Sequence, residues 1–336
     1  MHPEVKYIGF LTLLFSGTTS IFSFKYSILN DTVKKLKQWS ISAGNIISFY
    51  MCNGTSETLR NETVVNHALP SLGGENVKAI SVHVPTHLKP LNDDQFGHYL
   101  AGLIDGDGHF SRQQQLVIVF HSLDASLAYY LKNRLGFGSV KKVKDKNAFI
   151  LVIGARKGLL KVINLINGKI RTESKFYQIT NNILSNPNYV EDSKIVNYKL
   201  NFNKDLKNPW LVGFSDADAS FQIKVHNRNN RSEVRLNFQI DQKNNSVLLL
   251  IKEFLGGNLG YRKSQDTYYG STSFGSAKLV VNYFDYFHLL SSKHVNYLKW
   301  RKAYIIIQNK DHLKQDGFNK IIKLKSTMNR LSDNTV

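Results

Sequence analysis

The chain has 336 residues, 42% of them hydrophobic and 12% aromatic, enough for a sizeable core and too apolar for a wholly disordered protein. Its 44 Lys and Arg against 25 Asp and Glu leave a net charge of +19, which favours a polyanionic partner. The single cysteine, Cys52, excludes an intramolecular disulfide and a cysteine-based zinc site, and it fits an intracellular setting.

Residues 1–90 carry only +3 of the charge, and residues 91–336 carry +16. The N-terminal part has weak periodicity and turn-rich stretches at Cys52–Ser56 and Pro70–Gly74, and Pro85 to Pro90 closes it as a linker. It reads as a leader or read-through segment, poorly ordered or loosely attached, and dispensable for whatever the rest does. Within it, Tyr7 to Phe24 is largely apolar. That run suits a signal-peptide core or a marginal membrane span, although Thr12, Ser16, Gly17, Thr18, Thr19 and Ser20 count against a span. Abundant Asn, Lys, Ile, Tyr and Phe match AT-rich coding and hint at an organellar genome.

A first unit is expected over residues 91–186. Asn92-Asp93-Asp94 can cap a helix running to about Asp105, ended by Gly106 and Gly108. Strands are predicted at 109–115 and 116–121, a helix over 122–135, strands at 139–144 and 148–153, and helices through much of 159–184. A charged, Asn-rich linker, residues 187–208, follows. A second unit, residues 209–332, repeats the order. Asn208 and Pro209 start a helix to about Asp216. Strands follow at 220–226 and 233–241, then a helix over 246–255, strands near 259–263 and 267–274, and helices from Ala277. The fold class is therefore α+β: two pseudo-symmetric αββαββα units, each an antiparallel sheet packed on helices.

The units share more than element order. Leu100-Ala101-Gly102-Leu103-Ile104-Asp105-Gly106-Asp107-Gly108 returns, altered, 111 residues later as Leu211-Val212-Gly213-Phe214-Ser215-Asp216-Ala217-Asp218-Ala219. Such an internal repeat implies duplication. Gly inside a helix costs about 1 kcal/mol relative to Ala, so Ala101, Gly102 and Gly213 suggest that the two motif helices pack closely and join the units. Asp107 and Asp218 would then emerge together at the helix ends. Two carboxylates at helix C-termini repel each other and the helix dipole, and a hard cation such as Mg²⁺ or Mn²⁺ would remove that conflict. Asp105 and Asp216 suit structural pairing instead.

Strand alternation in the second unit puts Phe221, Ile223, Val225, Val234, Leu236, Phe238 and Ile240 on one face. Gln222, Lys224, His226, Arg235, Asn237 and Gln239 fall on the other, with Ser111, Gln113 and Gln115 as first-unit counterparts. Gln, Asn and Arg are the side chains that read base edges or hold phosphates, so this face is a candidate DNA-binding surface.

These two motifs resemble those of the LAGLIDADG homing endonucleases in their single-chain, double-motif form, over roughly residues 92–330. The resemblance implies site-specific cleavage of double-stranded DNA by a monomer, encoded in an intron of a mitochondrial gene. It makes Asp107 and Asp218 metal ligands. Phe238-Gln239-Ile240-Asp241-Gln242 is similar to the strand whose Gln, here Gln242, positions water, and Leu290-Ser291-Ser292-Lys293 to the segment supplying a basic residue, here Lys293. Lys175 is an approximate first-unit counterpart, and Phe120-His121-Ser122 has no matching Gln. Ala219 replaces the motif's closing Gly, which would strain a backbone of positive φ. Some family members are RNA maturases that assist splicing of their host intron RNA, the second reading; a non-catalytic DNA-binding protein is the third. No Walker loop, dinucleotide fingerprint or HExxH motif occurs, so no nucleotide cofactor is implied.

Overall fold

The computed structural model describes residues 8–15, 18–25, 79–192, 197–228, 231–272 and 274–328. The turn stretches at Cys52 and Pro70 lie outside them. The chain divides into two units, residues 1–68 and 69–336.

Residues 1–68 contain strands β1 (Ile8–Phe15) and β2 (Thr18–Lys25), an antiparallel pair with Ile8 opposite Lys25 and Phe15 opposite Thr18. The apolar run is thus two eight-residue strands rather than one continuous apolar core. Its Thr and aromatic content favours strands, and Ser16-Gly17 interrupts the run at its middle. Among the described residues no helix is long and apolar enough to cross a membrane.

Within residues 69–336, α1 (Asp93–Asp107) is followed at once by β3 (Gly108–Phe110) and β4 (Leu116–His121). A 3-10 turn (Ser122–Asp124), α2 (Ala125–Leu135), β5 (Ser139–Lys142), β6 (Ala148–Ile153), α3 (Arg156–Ile166), α4 (Glu173–Ile179) and α5 (Pro187–Asp192) complete this half. The other half runs α6 (Trp210–Asp218), β7 (Ala219–Arg228), β8 (Arg231–Gln242), α7 (Ser246–Leu255), β9 (Asn258–Arg262), β10 (Thr267–Ser271), α8 (Phe274–Tyr286), α9 (Lys293–Gln308) and α10 (Gln315–Thr327). Both sheets are antiparallel with matching order, β3-β4-β6-β5 and β7-β8-β10-β9. The duplication read from the motifs is a duplication of architecture.

Local chemistry sets the helix starts. Asn92 accepts from Gln95 N at 2.8 Å, and Asn208 accepts from Trp210 N at 3.0 Å. α1 runs through Gly106 to Asp107, two residues past the expected end, because the Gly108 N–H still donates to the Ile104 carbonyl. Phe110, Leu116, Ile118, Leu151 and Ile153 point inward in the first half, and Phe221, Phe238, Phe284, Tyr297 and Trp300 form an aromatic cluster in the second.

Three expectations need correction. The first strand stops at Phe110, because residues 111–115 form a turn closed by Ser111 N on the Gln115 carbonyl, with Gln114 at φ 59°. Ser111, Gln113 and Gln115 therefore sit in a loop and not on a sheet face. The linker, residues 187–208, is not simply exposed: it holds α5, buries Leu206, and offers the Asn203 and Asp205 carbonyls to the Arg171 guanidinium. Finally, residues 79–90 are firmly attached. Gln308 exchanges hydrogen bonds with both backbone groups of Ile80 (2.8 and 3.1 Å), and Arg301 donates to the Ser81 and His83 carbonyls, each at 3.0 Å. Packing thus begins before residue 91.

Candidate active site

The site begins with the contact between α1 and α6. A Cβ on Gly102 would lie 1.9 Å from the Trp210 carbonyl oxygen, and one on Gly213 would lie 1.9 Å from that of Tyr99. No other residue type fits either place without moving backbone. Ala101, beside Gly102, is fully buried. Nearer the helix ends, a Cβ on Gly106 would meet Ala217 Cβ at 2.3 Å and Asp218 Oδ2 at 3.0 Å. The C-termini of the two helices, each ending in an acid, are therefore pressed together.

Asp105 and Asp216 build the frame. Asp105 accepts from Trp210 Nε1 (2.8 Å), Arg171 N (2.9 Å), Thr172 N (3.1 Å) and Thr172 Oγ1 (2.6 Å). Asp216 accepts from Tyr99 Oη (2.9 Å), Leu290 N (2.9 Å), Ser291 N (3.2 Å) and Ser291 Oγ (2.6 Å). Each acid thus takes one donor from the opposite motif helix and three from a loop of its own half. Burial pushes the Asp105 carboxyl up to about 6 against the pull of those donors, and raises Asp216 likewise.

That frame delivers the lysines. Three residues after Thr172, Lys175 donates to the Gly108 carbonyl at 2.5 Å. Two residues after Ser291, Lys293 donates to the carbonyls of Ser215 (3.1 Å) and Ala217 (2.6 Å). Burial lowers both ammonium pKa values, and the nearby aspartates oppose the shift.

Asp107 and Asp218 complete the site. Burial, followed by the charge of Asp218, raises the Asp107 carboxyl to about 6. Burial also raises Asp218, which accepts from Gln242 Nε2 at 2.6 Å. The Ala219 backbone is extended, with φ −85°, so the strain anticipated for Ala in place of Gly does not arise. Asp107, Asp218, Lys175, Lys293 and Gln242 therefore meet in one place. Among the described residues no group of three or more His, Cys, Asp or Glu is set to hold a metal, which leaves the Asp107–Asp218 pair as the candidate.

The site is not symmetric. Ala219 pairs with Ile240 and Gly108 with Ile118, so Phe120, which is buried, takes the register position of Gln242. Asp124 also approaches from the first half and accepts from Ser292 N at 2.6 Å, next to Lys293.

The outward face of β7 and β8 is polar, as expected. Asn237 donates to Gln222 (3.3 Å) and Gln239 (3.2 Å), Gln239 donates to Asp241 (3.0 Å), and Arg235 pairs with Glu233 at 2.8 Å. Lys224 and His226 are exposed, whereas Asn237 and Gln239 are 9% and 8% exposed, covered by their neighbours.

Tyr99, Trp210, Thr172 and Asp124 join the site residues expected from the sequence, and Gly106 and Ser291, expected only as a helix end and as part of the lysine segment, take close-packing and acid-binding roles. Tyr99 and Trp210 carried a signal, since they are 111 residues apart, the offset of the motifs. Thr172 lies in a loop without a motif, so nothing in the sequence pointed to it, and Ser291 lies in the Leu290–Lys293 segment, whose resemblance pointed to Lys293 alone.

Two pseudo-symmetric halves, joined by glycine-packed helices that each run directly into an antiparallel sheet, define the class of single-chain, double-motif LAGLIDADG folds. Residues 100–184 and 211–304 match the LAGLIDADG endonuclease family, and the chain belongs to it. It is 58% identical over 328 residues to the Schizosaccharomyces pombe "Uncharacterized cox1 intron-2 37.2 kDa protein", covering 94% of this chain and 97% of that protein. It is 31% identical over 276 residues to the Saccharomyces cerevisiae "Intron-encoded DNA endonuclease aI3", covering 65% of each. Among solved structures, the meganuclease I-SmaMI bound to uncleavable DNA shares the fold with a TM-score of 0.57 at 23% identity, covering 70% of this chain and 99% of that one.

Proposed function

We propose that this chain is a site-specific, divalent-metal-dependent endonuclease that cuts both strands of DNA in intron homing. The observation that carries this reading is the convergence of Asp107 and Asp218, each with a lysine from its own half. Sequence-independent binding of nucleic acid has no use for two like charges pressed together against helix C-termini. Metal-assisted hydrolysis does.

The donor set fits a hard cation. Among the described residues no donor sits on Asp107, and Asp218 has one, from Gln242. Oxygen ligands from one or two carboxylates, completed by water and substrate phosphate, suit Mg²⁺ or Mn²⁺. Bound there, such an ion would supply Lewis acidity and an activated water. The chain's own residues do the rest. Asp107 and Asp218 hold oxygens toward the phosphodiesters, Gln242 fixes the Asp218 carboxylate, and Lys175 and Lys293 place positive charge where the transition state gains negative charge. The polar face of β7 and β8 would bind double-stranded DNA, with the chain acting as a monomer. The cox1 intron origin named for the S. pombe relative supports a mitochondrial, organelle-encoded setting.

Asp107→Asn and Asp218→Asn remove metal-binding charge at nearly constant shape. Each should abolish double-strand cleavage while leaving DNA binding within severalfold. Full double-strand cutting by either variant would overturn the assignment.

A second reading, assistance to splicing of the host intron RNA, is favoured by 26% identity over 221 residues to the S. cerevisiae "Intron-encoded RNA maturase bI4". In a splicing assay that activity should survive both substitutions.

A further inference from the structure

Register places the two sheets in correspondence and exposes a contrast between their outward faces. With Gly108 opposite Ile118 and Ala219 opposite Ile240, Val117 and Val119 stand where Gln239 and Asp241 stand in the other half. Ile150 and Val152 pair with Val119 and Val117, just as Tyr269 and Ser271 pair with Asp241 and Gln239. Four side chains that can hydrogen-bond in one half are thus four aliphatic side chains in the other.

These aliphatic residues do not belong to the core. The alternate residues Leu116, Ile118, Phe120, Leu151 and Ile153 point inward and are at most 6% exposed. Val119 is 50% exposed, and Val117, Ile150 and Val152 are half-buried on the outward face. Charge surrounds the patch. His109 is opposite Val117 and Lys141 opposite Ile150, while Lys142, Lys144 and Lys146 stand exposed on the adjoining hairpin against a single acid, Asp145.

We infer that this face reads A·T pairs in one half of the DNA site by packing Val117, Val119, Ile150 and Val152 against thymine methyl groups. The inference rests on the DNA-binding reading above. Aliphatic side chains cannot replace the water bonded to guanine O6 and N7 or to cytosine N4, so a G·C edge pressed onto them leaves polar groups unpaired. The thymine C5-methyl is the one apolar group that the major groove presents. The lysine rim favours a polyanion. It also opposes a second copy of a chain that carries +19.

The test selects bound duplexes from a randomised library with metal withheld, using the full chain and Val119→Asn, an exposed change that spares the core. The selected site should contain one half that is T- and A-rich, and Val119→Asn should shift base preference in that half only. Replacing dT by dU there, which deletes only the methyl, should weaken binding about fourfold per contacted base, equivalent to ~0.8 kcal/mol for a buried group of that size. Replacement in the other half should leave affinity nearly unchanged. A G·C-rich half under this face, or indifference to dU in both halves, would overturn the inference while leaving the endonuclease reading intact. A concentration-dependent dimer dissolved by Val119→Asn would also overturn it. Failure to bind any duplex would overturn both readings.

Discussion

Gly102 and Gly213 occupy equivalent places on the two motif helices, and each faces the backbone carbonyl of the other helix so closely that a Cβ would lie 1.9 Å from its oxygen. The partners, Trp210 and Tyr99, are themselves one repeat apart, so the contact obeys the pseudo-twofold relation. Because the obstacle is backbone, repacking of side chains cannot relieve it. Gly102→Ala or Gly213→Ala should therefore destabilise by at least the ~1–3 kcal/mol typical of overpacking, despite Ala's better helix propensity. Thermal unfolding of each variant checks this. A melting temperature equal to or above the parent's would show that the helices can separate freely.

Asp107 and Asp218 set a pH dependence. The Asp107 carboxyl is raised to about 6, by burial first and the charge of Asp218 second. A raised carboxyl means that the folded state binds the proton more tightly than the unfolded chain does. Metal-free protein should therefore gain stability as pH falls through about 6, the ionised pair being the source of the cost. Added Mg²⁺ should reverse the trend, raising the melting temperature above that pH and having little effect well below it. Cleavage should fall along the same acid limb. In Asp107→Asn the metal-induced rise should shrink markedly. Equal Mg²⁺ stabilisation of parent and variant would place the metal elsewhere.

The unequal pair Gln242 and Phe120 predicts an order of cutting. Gln242 fixes Asp218 at 2.6 Å, whereas Phe120 offers Asp107 no hydrogen bond. The strand served by Asp218 should be cut first, so nicked circular plasmid should accumulate before linear product. Gln242→Leu should slow that first nick by about tenfold or more, the scale of a lost charge-assisted hydrogen bond to a catalytic group. Strand-specific end labelling reads the order. Simultaneous cutting by the parent would show that the amide contributes nothing to the rate.

What the sequence revealed and what it hid follow from locality. The helices and the acids were legible because α1 and α6 carry caps, glycines and carboxylates within single turns, and because the repeat supplied a second reading of each. The sheet face of the second half was legible because residues 219–242 alternate cleanly over two long strands. The first hairpin was not, since the three Gln residues at 113–115 continue an apparent strand whose end is fixed by the Ser111–Gln115 backbone bond. The roles of Thr172 and of Ser291, beside Lys293, were hidden because each is set by an acid more than 60 residues away in the chain.

The contacts of residues 79–90 lead to the last prediction, and they reverse the expectation that everything before residue 91 is dispensable. Arg301 is only 2% exposed; it forms a two-pronged pair with Asp285 and uses the Ser81 and His83 carbonyls as further acceptors. His87 Nε2 donates to the Leu289 carbonyl at 2.8 Å, in the loop whose next residues hold Asp216 and place Lys293. Lys89 then lies over the Tyr130 ring, 4.7 Å from its centroid, in the first half. The segment therefore ties α9, the Lys293 loop and α2 together. A chain starting near Lys78 should keep the stability of residues 79–328 and its cleavage. One starting near Lys89 removes these partners of Arg301 and Gln308, and should melt lower by the loss of hydrogen bonds worth about 0.5–1.5 kcal/mol each. It should also cut more slowly, because the Leu289–Lys293 loop loses the His87 hydrogen bond to the Leu289 carbonyl. Arg301→Lys in the full chain, which keeps the charge but not the fork, should show part of the same loss. Equal melting temperatures and cleavage rates for the two shortened chains would show that the segment only rests on the surface.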